Sequence, residues 1–318
     1  MTIFVTGVAG FIGSHLTEQL LAAGHTVVGF DNFDDQYDPA RKRRNVRMFT
    51  RHPRFRFEFG DVRNQSLLTD LLLRYGCDTV VHLAARTGVR ASVREPALCL
   101  DVNVNGTLAL LEAMRPVGVR RLVMASSSSV YGNSAFPPFT EEDEANRPLS
   151  PYAMSKRSAE LLAHTYHHLY GFDVACLRFF TVYGPRQRPE MAISLFTEKL
   201  YGGQPITLFG DGSTARNYTY VHDTVTGILC AIENVKGFDV LNIGGFGSVG
   251  LRELVGLLER AVGREAIIDW QPEQPGDVTL TCADLQRASA RIGYRPSVAI
   301  EEGLARFVRW YERTMLKA

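Results

Sequence analysis

Cysteine is sparse. The five cysteines, Cys77, Cys99, Cys176, Cys230 and Cys282, lie far apart, and no two stand in a C-x-x-C spacing. That excludes a paired-thiolate zinc site and a disulfide framework, so no metal is expected, and the odd count fits a reducing compartment. A charge surplus is missing too: Lys+Arg 35 against Asp+Glu 34 leave a net charge of +1 over 318 residues. Nucleic acid and anionic membrane surfaces both demand a basic excess, so neither is an expected partner. The N-terminus lacks a basic leader with an apolar stretch behind it, since Ile3-Phe4-Val5 reads straight into a strand. No segment holds enough uninterrupted apolar residues to span a bilayer. A cytoplasmic protein without internal repeats is the expectation.

What is present is an ordinary globular composition, 45% hydrophobic and 22% charged, which argues for a real core. Short apolar runs rich in β-branched residues recur at Ile3–Thr6, Thr26–Asp31, Phe55–Phe59, Thr79–Leu83, Arg121–Ser126, Val174–Phe179 and Val240–Ile243. Between them lie segments of helical spacing, among them Phe11–Ala23, with Ile12, Leu16, Leu20 and Leu21 on one face, and Leu67–Tyr75. Strands alternating with helices imply βαβ units and a parallel sheet covered on both faces. Right-handed crossovers then give an α/β fold with a doubly wound, Rossmann-type sheet. After about Phe180 the pattern loosens into a Gly-, Pro- and Arg-rich stretch reaching Arg216, with helices expected at Ala192–Tyr201, Leu251–Val262 and Ile300–Tyr311. Residues 181–318 therefore read as a smaller C-terminal lobe, with the 240–243 run returning to the sheet of residues 1–180. The basic run Arg41-Lys42-Arg43-Arg44 reads as a solvated face.

Gly7-Val8-Ala9-Gly10-Phe11-Ile12-Gly13 follows the first strand and opens a helix. Gly7 permits the tight turn, Gly10 lets the backbone approach a pyrophosphate, and Gly13 allows close helix-to-strand packing. Amides at the helix N-terminus, around Phe11 and Ile12, then face the phosphates. Asp31 ends the second strand, where an acid accepts hydrogen bonds from an adenosine ribose and repels a 2′-phosphate, so NAD is favoured over NADP. The first 180 residues are thus an expected NAD-binding domain.

Tyr152-Ala153-Met154-Ser155-Lys156 places a phenol and an ammonium four positions apart, on one face of a helix that starts after Pro151. A phenol titrates near ~10, and adjacent positive charge favours its ionised form. The run Ala125–Gly132, with Ser126, Ser127, Ser128 and Ser129, ends the fifth strand at the sheet edge where ligands bind. A serine run is otherwise a flexible loop, and a helix carrying Tyr and Lys is otherwise merely amphipathic.

Together these segments resemble the extended short-chain dehydrogenase/reductase family. The three-and-three glycine spacing, Asp61-Val62, His82-Leu83-Ala84-Ala85 and Asn103 all match in order. Within that family the resemblance implies a Tyr152/Lys156 pair with Ser127 on the reacting sugar oxygen. Asn32, Asp61, Val62, Leu83, Ala84, Ala85 and Asn103 would then lie against the cofactor. The family's 4,6-dehydratases carry Asp-Glu directly after that hydroxyl, and here Ser128 and Ser129 stand instead, poor proton carriers at neutral pH. Elimination is disfavoured, and a reaction that removes a hydride and returns it is left.

The chain is most similar to the UDP-glucuronate 4-epimerases, over essentially its whole length. Asp31-Asn32-Phe33 with Tyr37-Asp38-Pro39, Gly88-Val89-Arg90, Arg178–Pro185 with Arg188-Pro189-Glu190-Met191, and Gln274–Val278 carry the similarity. Glu190 and Asn217 stand where Asp is usual, and Cys282 where Tyr is common. The resemblance implies a UDP-sugar substrate contacted by Arg90, Ser127, Ser128, Ser129 and Thr181. Arg188 would clamp the sugar carboxylate, Arg216 would lie near the pyrophosphate and Asp277 near the uridine ribose. Plain alternatives are surface ion pairing for Arg216 and Asp277 and a solvated basic loop for Arg186 and Arg188. A 4-epimerase of a neutral UDP-sugar is the rival reading, and a non-catalytic NAD-binding sensor a lesser one. The family pairs as a homodimer through the helices carrying Tyr152 and Asn103, though Leu161, Leu162 and Leu169 fit an internal core equally well.

Overall fold

The computed structural model describes residues 1–133, 137–272 and 279–316. Its centre is a sheet whose first six strands are β1 (Thr2–Thr6), β2 (Thr26–Asp31), β3 (Phe55–Phe59), β4 (Thr79–His82), β5 (Arg121–Ser127) and β6 (Asp173–Phe179). Beyond them come β7 (Thr181–Tyr183), β8 (Ile206–Phe209), β9 (Ala215–Arg216), β10 (Tyr218–Tyr220), β11 (Phe238–Ile243), β12 (Val249–Gly250) and β13 (Ile268–Gln271). Seven strands pair in the order β11-β6-β5-β4-β1-β2-β3, every pair parallel. This is the doubly wound sheet expected from the alternation.

Helices cover both faces: α1 (Phe11–Ala22), α2 (Pro39–Arg47), α3 (Gln65–Tyr75), α4 (Val89–Arg94), α5 (Pro96–Leu100), α6 (Gly106–Met114) and α7 (Pro151–Tyr170). The second half adds α8 (Ala192–Gly202), α9 (Val221–Asn234), α10 (Leu251–Val262), α11 (Gln286–Ile292) and α12 (Ile300–Thr314). In β1, Ile3 and Val5 join Leu16, Leu20 and Ile228 in one core, while Phe4 joins Leu68, Leu110 and Ala163 in another. The central strands β1, β2 and β4 are therefore buried on both sides, which explains runs without alternation, while the edge strand β3 alternates Phe with Arg56 and Glu58. The register Phe179↔Ile243 seals the far edge of β6 with β11. Helix α9 packs beside α1, so the second half supplies both a strand and a helix to the sheet.

Two expectations need correcting. Pro96–Met114 forms one continuous helix, with a π-helical turn at Asp101–Asn105, that is long and apolar enough by length and composition to cross a membrane. Asp101, Asn103 and Asn105 interrupt its apolar residues, which hid it in the sequence. Leu110, Leu111 and Met114 are fully buried in the core beneath α3 and α7. The basic run 41–44 is likewise not all solvated: it lies on α2, and Lys42 is 8% exposed, its ammonium donating to the Asp34 carbonyl at 2.6 Å.

Candidate active site

The sheet grows from β1 toward β2 and β3 on one side and toward β4, β5, β6 and β11 on the other. At that reversal a cleft of about 440 Å³ opens over the carboxyl ends of the strands, where open α/β sheets bind ligands. Gly7, Gly10, Phe11, Ile12 and Gly13 line it. A Cβ on Gly13 would stand 2.2 Å from the Gly7 carbonyl oxygen, and Gly7 itself has φ +71°. Only glycine fits this turn. Helix α1 has Gly10 as its N-cap with no side-chain cap, which leaves its first amides for an anionic ligand.

Asp31 flanks the turn. Its carboxylate accepts from Ala9 N at 3.0 Å and Phe33 N at 2.8 Å, and burial pushes its pKa up against those bonds and the Lys42 charge. Asn32 donates to Asp61 at 3.2 Å, while the Arg63 guanidinium grips Asp61 and holds its carboxyl below the usual range. Val62, Leu83, Ala84 and Ala85 form the apolar walls. A glycine cradle, a buried acid and a hydrophobic slot fit an adenine dinucleotide. The residues that would hold it are those named for it in the sequence, with Asn103 excepted.

The residues expected to react come from β5 and α7. Ser150 caps α7 by accepting from Ala153 N at 3.1 Å, and Pro151 starts its first turn, which fixes Tyr152 in the lining of the cleft. Ser127 closes β5 and caps the short turn 128–131, accepting from Ser129 N at 3.2 Å. Burial pushes the Tyr152 phenol up, opposed by a hydrogen bond with Ser127 and by the Arg188 charge. Lys156 donates to the Ala125 carbonyl at 2.8 Å, not to the phenol, and burial lowers its ammonium to about 8.

Beneath this trio, α7 carries Glu160 four residues after Lys156. Glu160 accepts from Ser126 at 2.5 Å and from both Nε and Nη2 of Arg178 at 2.9 Å, all of them buried. Arg178 lies 4.7 Å over the Tyr131 ring. The ion pair ties the end of β5 to α7 and β6, so it sets the spacing of Ser127 and Lys156.

Ser128, Ser129, Thr181 and Arg188 line the same cleft. The loop bearing Arg188 is pinned to α1: His15 bonds the Pro185 carbonyl at 2.8 Å and Arg186 pairs with Glu18 at 2.6 Å. Neither arginine is a solvated loop residue, Arg186 being 11% and Arg188 18% exposed. Arg188 pairs through Nη1 with Glu190 at 2.6 Å, and its Nη2 faces the Met191 sulfur.

Three expected ligand residues are not brought to this cleft. Asn103 is buried behind it, bonding the Arg86 peptide and the Ser155 hydroxyl, so it positions the wall and does not form it. Arg90 is exposed over the Phe209 ring at 4.9 Å, at the edge of the second lobe. Arg216 lies on β9, paired with Val249 of β12. Asp277 lies outside the described residues. The sequence reading also missed Asp34, Gln36, Tyr37, Lys42 and Arg86, all in the wall. For Lys42 the basic run was the available signal; the others stand in loops with no periodicity to mark them.

Residues 3–244 match the NAD dependent epimerase/dehydratase family. A UDP-glucuronate 4-epimerase of Thermodesulfobacterium geofontis is 42% identical, over 96% of this chain and 94% of that one. The crystal structure of a UDP-glucuronic acid 4-epimerase from Bacillus cereus, in complex with UDP-glucuronic acid and NAD, superposes with a TM-score of 0.93 at 36% identity, covering 98% and 99% of the two chains. A UDP-glucose 4-epimerase from Thermotoga maritima, with UDP-glucose, gives 0.92 at 32% identity, covering 99% and 100%. From residue 3 through β11, therefore, this chain belongs to the NAD dependent epimerase/dehydratase family.

Proposed function

We propose that the protein is an NAD-dependent UDP-glucuronate 4-epimerase, interconverting UDP-glucuronate and UDP-galacturonate. The observation that carries the reading is that Tyr152, Ser127 and Arg188 line one cleft, with Ser128 and Ser129 and not an Asp-Glu pair directly after Ser127. Bound in the cleft, NAD supplies a reversible hydride acceptor for carbon 4 of the sugar. Tyr152 takes the proton of the 4-hydroxyl, with Ser127 holding that oxygen. Lys156, moved from the Ala125 carbonyl or acting from it, adds the positive charge that favours phenolate. Ser128 and Ser129 hydrogen-bond the sugar but cannot drive elimination. The Arg188 guanidinium suits a planar carboxylate, and it keeps the oxidised β-keto acid from losing carbon dioxide by fixing the carboxylate near the carbonyl plane. The oxidised sugar turns over in the pocket, carbon 4 is reduced from its other face, and Tyr152 gives the proton back to the 4-oxygen.

Relatives that act on UDP-glucuronate support this reading. The Arg188–Glu190 ion pair favours a second one, a neutral UDP-sugar, because one arm of the guanidinium is already occupied. Incubating the purified protein with UDP-glucuronate, UDP-glucose and UDP-N-acetylglucosamine in turn, and separating the products by chromatography, decides between them. Preference for either neutral sugar would replace the uronate assignment. The same reading includes a cytoplasmic homodimer joined through α6 and α7, whose outer faces expose Leu108, Leu161 and Leu169; analytical ultracentrifugation of the protein and of Leu161→Glu tests it.

A further inference from the structure

In the sheet, β2 and β4 flank β1 without touching each other. The segments that follow them are nonetheless tied together across the carboxyl end of β1. The Gln36 side-chain amide donates to the Thr87 carbonyl and accepts from Thr87 N, so both halves of one amide hold the backbone of one residue. Arg86, 13% exposed, donates to Asp34 at 2.6 Å on the β2 side and to Glu95 at 2.7 Å on its own side. Each segment is also braced from behind. Asn103 accepts from Arg86 N at 2.8 Å and donates to the Arg86 carbonyl at 2.9 Å, while Lys42 donates to the Asp34 carbonyl. Asp34, Gln36, Arg86 and Thr87 all line the cleft, and the glycine turn at the end of β1 lies between the two segments.

We infer that these contacts form a clasp that retains the dinucleotide. The inference rests on the cofactor reading of the cleft and adds how the cofactor is kept. A molecule cradled on the Gly7–Gly13 turn has one wall from each tied segment, and it enters or leaves only when the tie opens. One charge-assisted bond, from Arg86 to Asp34, and a two-point amide contact make that opening slow. A reaction that returns what it removes has no use for cofactor exchange, so a slow clasp costs it nothing. The clasp gates passage without adding affinity, so it slows entry and exit alike.

The test follows radiolabelled NAD on the purified holoenzyme. Label loss into excess unlabelled NAD gives the release rate, and uptake by cofactor-stripped protein gives the entry rate, for the unaltered chain, Gln36→Ala and Asp34→Ala. Each substitution should raise both rates by about ten- to a hundredfold, with the equilibrium affinity within a few-fold. Gln36→Glu, which keeps the side chain's length and loses the donor to Thr87, serves if Gln36→Ala fails to fold by thermal melting. Unchanged rates overturn the clasp. A rise in release alone also overturns it, because that marks a direct contact with the cofactor. An unaltered protein that takes up no NAD defeats the cofactor reading itself, and the clasp with it.

Discussion

Two residues carry opposite risks at the reacting centre. Tyr152 sits with its phenol pushed up by burial and Lys156 on the Ala125 carbonyl, so in the proposed reaction the phenol is the group that takes the proton. Tyr152→Phe should therefore lower turnover by at least the roughly hundred- to ten-thousandfold of a general base. NAD bound per protein chain, read by absorbance after denaturation, should stay unchanged; near-normal turnover in the variant would remove Tyr152 from the role. Arg188 bears on choice of sugar. A charge-assisted contact contributes roughly 1.5–3 kcal/mol, so Arg188→Ala should cut kcat/KM for UDP-glucuronate about ten- to a hundredfold and leave UDP-glucose nearly untouched. Equal losses on both sugars would show that the arginine shapes the pocket without reading the carboxylate. At this scale the sequence was most legible in position: the three glycines, Asp31, Tyr152 and Lys156 all line the cleft. It was least legible for Asn103, whose place in the family pattern matches but whose amide faces the Arg86 peptide.

Elements were legible where apolar periodicity marks them. The sheet strands fall within two residues of their expected limits: burial on both faces leaves unbroken apolar runs in β1, β2 and β4, and alternating Phe marks the edge strand β3. Helix α2 escaped notice: its sequence PARKRRNVR is almost wholly polar, and the Asp38 cap at its start, not a hydrophobic stripe, marks its position. Turns depend on side chains that periodicity never samples. Asn217, fully buried, accepts from Gly245 N at 2.7 Å and donates to the carbonyls of Gly245 at 3.2 Å and Gly247 at 2.6 Å. Its departure from the family's usual Asp thus has a physical sense, since only an amide can donate to both carbonyls. Asn217→Asp should place an unpaired charge there and destabilise the fold by about 3 kcal/mol or more, measured as a fall in the urea midpoint. Gly13→Ala tests the glycine turn: the added methyl would collide with the Gly7 carbonyl, and NAD binding by calorimetry should be lost while the circular dichroism of the sheet persists.

Across the whole molecule, two buried histidines set the response to acid. His82 bonds Thr6 and Thr107 in the core, and His15 bonds the Pro185 carbonyl beside Arg186. Burial, and then the Lys156 charge for His82 and the Arg186 charge for His15, push each down to about 3. The folded state binds fewer protons than the unfolded one between pH 6.5 and 3, so stability is full above that window and falls as pH drops through it. The slope is about 1.4 kcal/mol for each pH unit per histidine. Urea unfolding at pH 7 and pH 5 should show this, with the fall reduced by about half in His82→Gln; an unchanged fall would place the acid sensitivity elsewhere. The sheet's last strand has a consequence for synthesis. Once residue 180 has been made, β6 presents a bare row of amides and carbonyls, an edge of the kind that recruits other chains. Its partner β11 ends at Ile243; about 60 further residues must emerge first, roughly 3–12 s at ~5–20 residues per second. For that interval a nascent chain carries an unfinished sheet, and stalled chains ending near residue 200 should be captured by chaperones and cut by protease where chains ending past residue 290 resist both.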